Sequence, residues 1–177
     1  LRCKKELQVL GLSMCGKCFT ADLVEKLVES GGFPKLTHLT LTGAYLLYDS
    51  HLEELLKVCP NLKHLTLSQN SRLGPSGLKF IVEMFGKTLE TLSISMCVQL
   101  ESPHLEPLGN LSTSLASLDL NSLDRLTDLN LSAILKSCGP NLRRLNLADC
   151  TGITDDGLDA IVNFCGNELA ELSLFGL

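Results

Sequence analysis

The sequence has no tryptophan, only two tyrosines and only six phenylalanines. A surface that binds single-stranded nucleic acid needs aromatic platforms for base stacking, and this chain is poorly supplied with them. Basic charge is also in short supply. Fifteen lysines and arginines face twenty acidic residues, a net charge of -5. A phosphate-facing surface needs a cationic patch. Basic residues cluster only at Arg2, Lys4, Lys5 and at the pair Arg143, Arg144. No direct nucleic-acid partner and no anionic membrane partner is therefore expected. No apolar run approaches the roughly 18 residues of a membrane-spanning helix. Signal-peptide and lipidation patterns are absent from these residues, as are phosphate loops and cofactor fingerprints. No cofactor and no enzymatic activity is expected.

What is present is leucine. Residues 7 to 12 read L-x-x-L-x-L at Leu7, Leu10 and Leu12. The same spelling starts again at residues 36, 62, 89, 115, 142 and 169, at spacings of 29, 26, 27, 26, 27 and 27. Of the 21 motif positions 20 are leucine, and Ile94 is the exception. A fixed period of this length marks a solenoid. The alternation within each motif predicts a short strand with its fourth and sixth residues turned inward. A second leucine recurs at Leu23, Leu52, Leu78, Leu105, Leu131 and Leu158, followed by helical spacing as in Leu158, Ile161, Val162. Just before it stand Thr20, Asp49, Pro75, Ser102, Asp128 and Asp155. These residues suit a helix start, because oxygen side chains accept from unpaired first-turn amides and proline loses nothing there.

Each unit therefore reads strand, turn, helix, return loop. A lone unit cannot bury its leucines, whereas stacked units bury them against one another. Parallel strands stack at roughly 4.8 Å while helices need roughly 8–10 Å. The expected fold is thus a curved α/β horseshoe of about seven repeats filling residues 1–177. A parallel sheet lies on the concave face and helices on the convex face. With Leu1 in place of an initiating methionine, and an end inside a unit, the chain is expected to be part of a longer array.

Eight cysteines occur in this pattern. Cys15, Cys97 and Cys150 share one repeated position with Ala44, Asn70 and Leu123. Cys59, Cys138 and Cys165 share another, at the helix end. Such placement fits small buried apolar groups rather than nucleophiles, which need a nearby base and an electropositive setting. Cys15-Gly-Lys-Cys18 has C-x-x-C spacing, but no second such pair completes a zinc set of four. Asp155 and Asp156 fall in a first helical turn, where the helix dipole favours carboxylates. No metal site is expected. Reduced buried thiols suggest an intracellular protein, nuclear or cytoplasmic. Asn110 and Asn130 head glycosylation-like triplets, the second inside an expected helix.

The residues Cys150, Ile153, Thr154, Asp155, Gly157, Leu158, Ile161 and Cys165 spell C-x-x-I-T-D-x-G-L-x-x-I-x-x-x-C. In this the chain resembles leucine-rich repeat proteins of the cysteine-containing class. Many proteins of that class are substrate receptors of ubiquitin ligases, with an F-box upstream that grips the ligase core. The resemblance implies a scaffold whose concave face holds a protein. A cullin-ligase adaptor would then bind through regions outside these residues. Residues 33 to 47, F-P-K-L-T-H-L-T-L-T-G-A-Y-L-L, are similar to the repeat subunit of the complex for global-genome nucleotide-excision repair. That similarity implies a nuclear chromatin partner. An extracellular recognition array is the other reading, and it requires disulfides.

Strand residues between the leucines project from the concave face in columns. One column runs Val9, His38, His64, Thr91, Ser117, Arg144, Glu171. The next runs Gly11, Thr40, Thr66, Ser93, Asp119, Asn146, Ser173, and a third runs Ser13, Thr42, Ser68, Ser95, Asn121, Ala148, Phe175. Met14, Gln69, Met96, Ser122 and Asp149 line the adjoining edge. Most of this face is small and hydroxylated. The more varied end, with Asp119, Asn121, Arg144, Asn146, Asp149, Glu171 and Phe175, is the expected docking region, since arginine and aromatics anchor interfaces. His38 and His64 are expected to be neighbours and are further candidates for protein binding on this face. Arg144 and Glu171 form an expected exposed pair. Tyr45 and Tyr48 either pack over a turn or meet a partner at the rim.

Overall fold

The computed structural model describes residues 4–14 and 20–177. Cys3, Cys15 and Cys18 lie outside the described residues. Each leucine motif forms a strand: β1 Val9–Ser13, β2 His38–Thr42, β3 His64–Thr66, β4 Thr91–Ser93, β5 Ser117–Asp119, β6 Arg144–Asn146 and β7 Glu171–Ser173. Between them lie α1 Ala21–Glu29, α2 Asp49–Lys57, α3 Pro75–Phe85, α4 Ser102–Leu105, α5 Asp128–Cys138 and α6 Asp155–Phe164. The strands form one open parallel sheet in chain order, β1 to β7. Its register pairs Val9 with His38, His38 with His64, His64 with Thr91, Thr91 with Ser117, Ser117 with Arg144, and Arg144 with Glu171. The first expected column is thus a real row of neighbours, and so is the second.

The core lies between sheet and helices. Leu39, Leu41, Leu65, Leu67, Leu92, Ile94, Leu118, Leu120, Leu145 and Leu147 are all 2% exposed or less. Burying one such leucine is worth about 1.5–3 kcal/mol. The end units have a neighbour on one side only: Leu10 and Leu12 are half-buried, and Leu172 is 44% exposed.

Repeat 4 departs from the helical pattern. Its α4 is four residues long and gives way to a 3₁₀ segment over Glu106–Asn110. Pro107 is the cause, because it has no N–H to donate and its ring clashes with the carbonyl four residues back. Leu105, Leu108 and Leu111 still enter the core.

Candidate protein-binding face

The turn leaving each strand carries two repeated features. The first is a left-handed residue. Met14, Gln69, Met96, Ser122 and Asp149 have φ between 55° and 60°, and Gly43 and Gly176 hold the same place in their units. The second follows immediately and turns inward after β2 to β6. Asn70 donates from Nδ2 to the carbonyls of Leu41 at 2.6 Å and Leu67 at 2.7 Å, and its Oδ1 accepts from Ala44 N at 2.7 Å. Cys97 Sγ donates to Leu67 O at 3.2 Å, and Cys150 Sγ to Leu120 O at 3.1 Å. These cysteines are buried donors that hold one unit's turn to the unit before. Cys59 and Cys138 donate to helix carbonyls four residues back, both at 3.3 Å. Burial pushes the thiols of Cys59, Cys97 and Cys138 up to about 12, and raises Cys150 and Cys165 as well. Thiolate nucleophiles are disfavoured at all five.

Thr20 caps α1 as the sequence suggests, whereas at the other five helix starts the cap falls one residue earlier. Thr20, Thr127 and Thr154 are the N-caps, and each accepts a first-turn amide. Asp155 and Asp156 occupy the first turn behind Thr154. The residue after the cap instead serves the next unit. Asp49 accepts from Gly74 N at 2.7 Å and from Ser76 Oγ at 2.6 Å. Asp128 accepts from Thr154 N at 2.9 Å and Thr154 Oγ1 at 2.8 Å. Gly77 and Gly157 make room for these carboxylates: a Cβ there would lie 2.6 Å from Asp49 Oδ1 and 2.4 Å from Asp128 Oδ1. In repeat 5 Asn130 fills that place, is buried, and accepts from Ser102 Oγ at 2.7 Å. A glycan at Asn130 is incompatible with this packing.

On the sheet face the expected docking residues come together, but their polar groups largely satisfy one another. Asp119 accepts from Ser93 Oγ at 2.8 Å, Asn146 Nδ2 at 2.9 Å and the Asn121 amide at 3.2 Å. Asn121 Nδ2 donates to Ala148 O at 2.8 Å, and Asn146 Oδ1 accepts from Ala148 N at 3.1 Å. Ser68 joins Ser93 at 2.9 Å, so the chain of bonds runs from β3 to β6. Arg144 meets Glu171 at 2.9 Å with both side chains more than 60% exposed, a pair of little energetic weight. Asp149 is exposed beside Gly176, and Phe175 projects 80% exposed.

His38 and His64 stack, with ring centroids 3.9 Å apart and planes 21° from parallel. His38 Nδ1 lies 2.9 Å from Thr37 Oγ1, and His64 Nδ1 contacts Thr91 Oγ1. His64 Nε2 is 3.8 Å from Glu90, whose other oxygen holds Lys63 at 2.7 Å. Burial, then the neighbouring His38, lower the His64 pKa against the opposing pull of Glu90. Among the described residues no group of three or more histidines, cysteines and acids is placed to hold a metal. Tyr48 packs under Arg72, whose guanidinium lies 4.5 Å from the ring centre.

A family model described as Leucine Rich repeat matches residues 58–82 and 140–162. No curated protein matches the chain in sequence. A chain of the crystal structure of the Rad7 and Elc1 complex in yeast is 24% identical with a TM-score of 0.66, covering 97% of this chain and 50% of that one. A chain of the TLR13–ssRNA13 complex is 20% identical with a TM-score of 0.60, covering 96% of this chain and 22% of that one. This chain thus spans half the length of the first and a smaller part of the second. Seven strands in register, two stretches matched by the repeat model and these likenesses of backbone together make the fold a leucine-rich repeat solenoid.

Proposed function

We propose that this chain is a non-catalytic protein-interaction scaffold and supplies the substrate-recognition part of a ubiquitin-ligase receptor. The observation that carries the scaffold reading is the sheet face. Seven strands present aligned columns of side chains there, while the core is built on the opposite side. Function by positioning follows: a bound target is held at high local concentration near whatever the rest of the assembly carries. The ligase role rests on the resemblance of repeat type and on the fold likeness to a chain crystallised as part of a complex with Elc1.

The test is affinity purification of the full-length protein from its own cells, beside a Thr40→Arg/Thr66→Arg variant of the sheet face. We expect a cullin and its small adaptor with both proteins, and a set of partners lost with the variant. Unchanged recovery of every partner would remove the face from the proposal. Absence of any ligase component would remove the receptor role. A second reading, the repeat subunit of a nuclear excision-repair complex, is favoured by residues 33 to 47. Recovery of a repair ATPase would select it. The extracellular reading requires disulfides, whereas Cys97 and Cys150 spend their thiols on backbone carbonyls. Thiol titration in denaturant should find eight reactive groups, the full cysteine content, and four pairs would revive that reading.

A further inference from the structure

Across β1 to β4 the sheet face contains no carboxylate, lysine or arginine in its three columns. It offers the stacked His38 and His64, the hydroxyls of Thr40, Thr42 and Thr66, and the bare strand glycine Gly11, while Ser68, Ser93 and Ser95 bond one another. Nothing lies within 4 Å of the Cβ position at Gly11, so another backbone can approach closely there. From β5 onward the face is charged, and Asp119, Asn146 and the Arg144–Glu171 pair bond within it. The N-terminal half of the face is the uncharged part, and the histidine pair is its titratable feature.

Resting on the scaffold reading, we propose that the His38–His64 pair is the docking point for a carboxylate on an acidic peptide segment of the protein partner, and that proton uptake by the pair tightens the grip. Each ring has its Nδ1 edge against a threonine hydroxyl. A protonated ring therefore finds an acceptor at Nδ1 and keeps Nε2–H for the partner. Two imidazoles 3.9 Å apart repel as a doubly charged pair, so proton uptake by the pair stops at about one positive charge. One positive charge matches a carboxylate. A phosphate group, with a charge of about -1.5 to -2, is normally met by arginine forks or lysine, and these columns have neither. The charged groups around the pair balance one another: Lys35 is bound to Glu6 at 2.7 Å, and Lys63 to Glu90 at 2.7 Å. Glu90 also lies 3.8 Å from His64 Nε2, making it the internal competitor that the partner's carboxylate must displace.

The sign follows from the site. In the free protein, burial and His38 make His64 release its proton more readily than an isolated imidazole does. A bound carboxylate reverses that preference, so affinity rises as pH falls through the imidazole range near about 6.5. The probe is a short blocked peptide of alternating threonine and glutamate, with its glutamine counterpart as control. Its binding to the 177-residue chain is followed by fluorescence anisotropy at about pH 5.8 and pH 7.8. We expect about tenfold tighter binding at the lower pH, equivalent to one unit of pKa shift on binding. His64→Gln should erase the difference, and the glutamine peptide should show none. Equal affinity at both pH values, or equal affinity for both peptides, overturns the proposal. Should the variant misfold, the ring protons of the unaltered protein decide: the peptide must raise the His64 titration midpoint, and an unmoved midpoint overturns the docking point. A partner captured through the face that binds His38→Gln/His64→Gln equally at both pH values also overturns it, while leaving the scaffold intact. A partner unaffected by Thr40→Arg/Thr66→Arg counts against the scaffold itself.

Discussion

At the scale of single residues, two carboxylates in first helical turns serve the joints between units. Asp49 and Asp128 each hold the start of the following helix, and each faces a glycine in that helix. Where the array has Ser102 instead, the following helix has Asn130, which fills the space and supplies the bond. The side chain after one cap and the residue two places further along the next helix are therefore chosen together. Gly77→Ala should destabilise the protein by about 1–3 kcal/mol, because the new Cβ meets Asp49 before it meets anything else. Asp49→Ala should cost about 1 kcal/mol in lost bonds to Gly74 and Ser76. In the double variant the clash is gone, so the loss should fall short of the sum by about 1 kcal/mol. Urea unfolding of the four proteins measures this, and simple additivity would show that the pair is not coupled. None of this was readable from Asp155 and Asp156 by themselves. The information lies in pairs about 28 residues apart, visible once units are aligned but uninterpretable until the carboxylate is seen to cross the joint.

At the scale of elements, the strands were the most legible part, because L-x-x-L-x-L fixes both the inward faces and the register. Columns read from alternation alone proved to be true neighbours from Val9 to Glu171. The helices were legible except in repeat 4, where Pro107 limits α4 to one turn and the leucine spacing survives without the helix. The left-handed turn was encoded by Gly43 and Gly176 standing where other units have methionine, glutamine, serine or aspartate. Those five non-glycine residues cost roughly 1–2 kcal/mol each relative to glycine's freedom. At Met96, φ 58° and 43% exposed, a β-branched side chain is more strained still. Met96→Val should therefore lower stability by about 1–2 kcal/mol, despite being a surface change between apolar residues, whereas Met96→Gly should cost nothing. Thermal melts of the two variants check this. Equal behaviour would mean that the turn relaxes out of the left-handed region.

At the scale of the whole molecule, the varied end of the face singled out from sequence and the stacked histidine pair are different places. Alignment placed Asp119, Asn121, Arg144 and Asn146 together, and they are together. What alignment could not reveal is that Asp119 accepts three donors from its own neighbours, since consumption of a hydrogen bond is a matter of ångströms. The far end presents a different kind of surface. Among the described residues no strand pairs beyond β7, and Leu172, Phe175 and Leu177 are exposed there. Leucine, phenylalanine and unpaired strand groups on one edge form a template for another edge. The 177-residue chain should therefore self-associate, with an apparent mass that rises with concentration in sedimentation equilibrium. Phe175→Asp should shift it toward monomer, because a charge at the edge opposes close approach of apolar surfaces. The His38–His64 face lies away from this edge, so peptide binding there should be unchanged in Phe175→Asp. A monomer at high concentration would show that the exposed leucines are too few to drive association, and would leave the sheet face as the proposed surface for a protein partner.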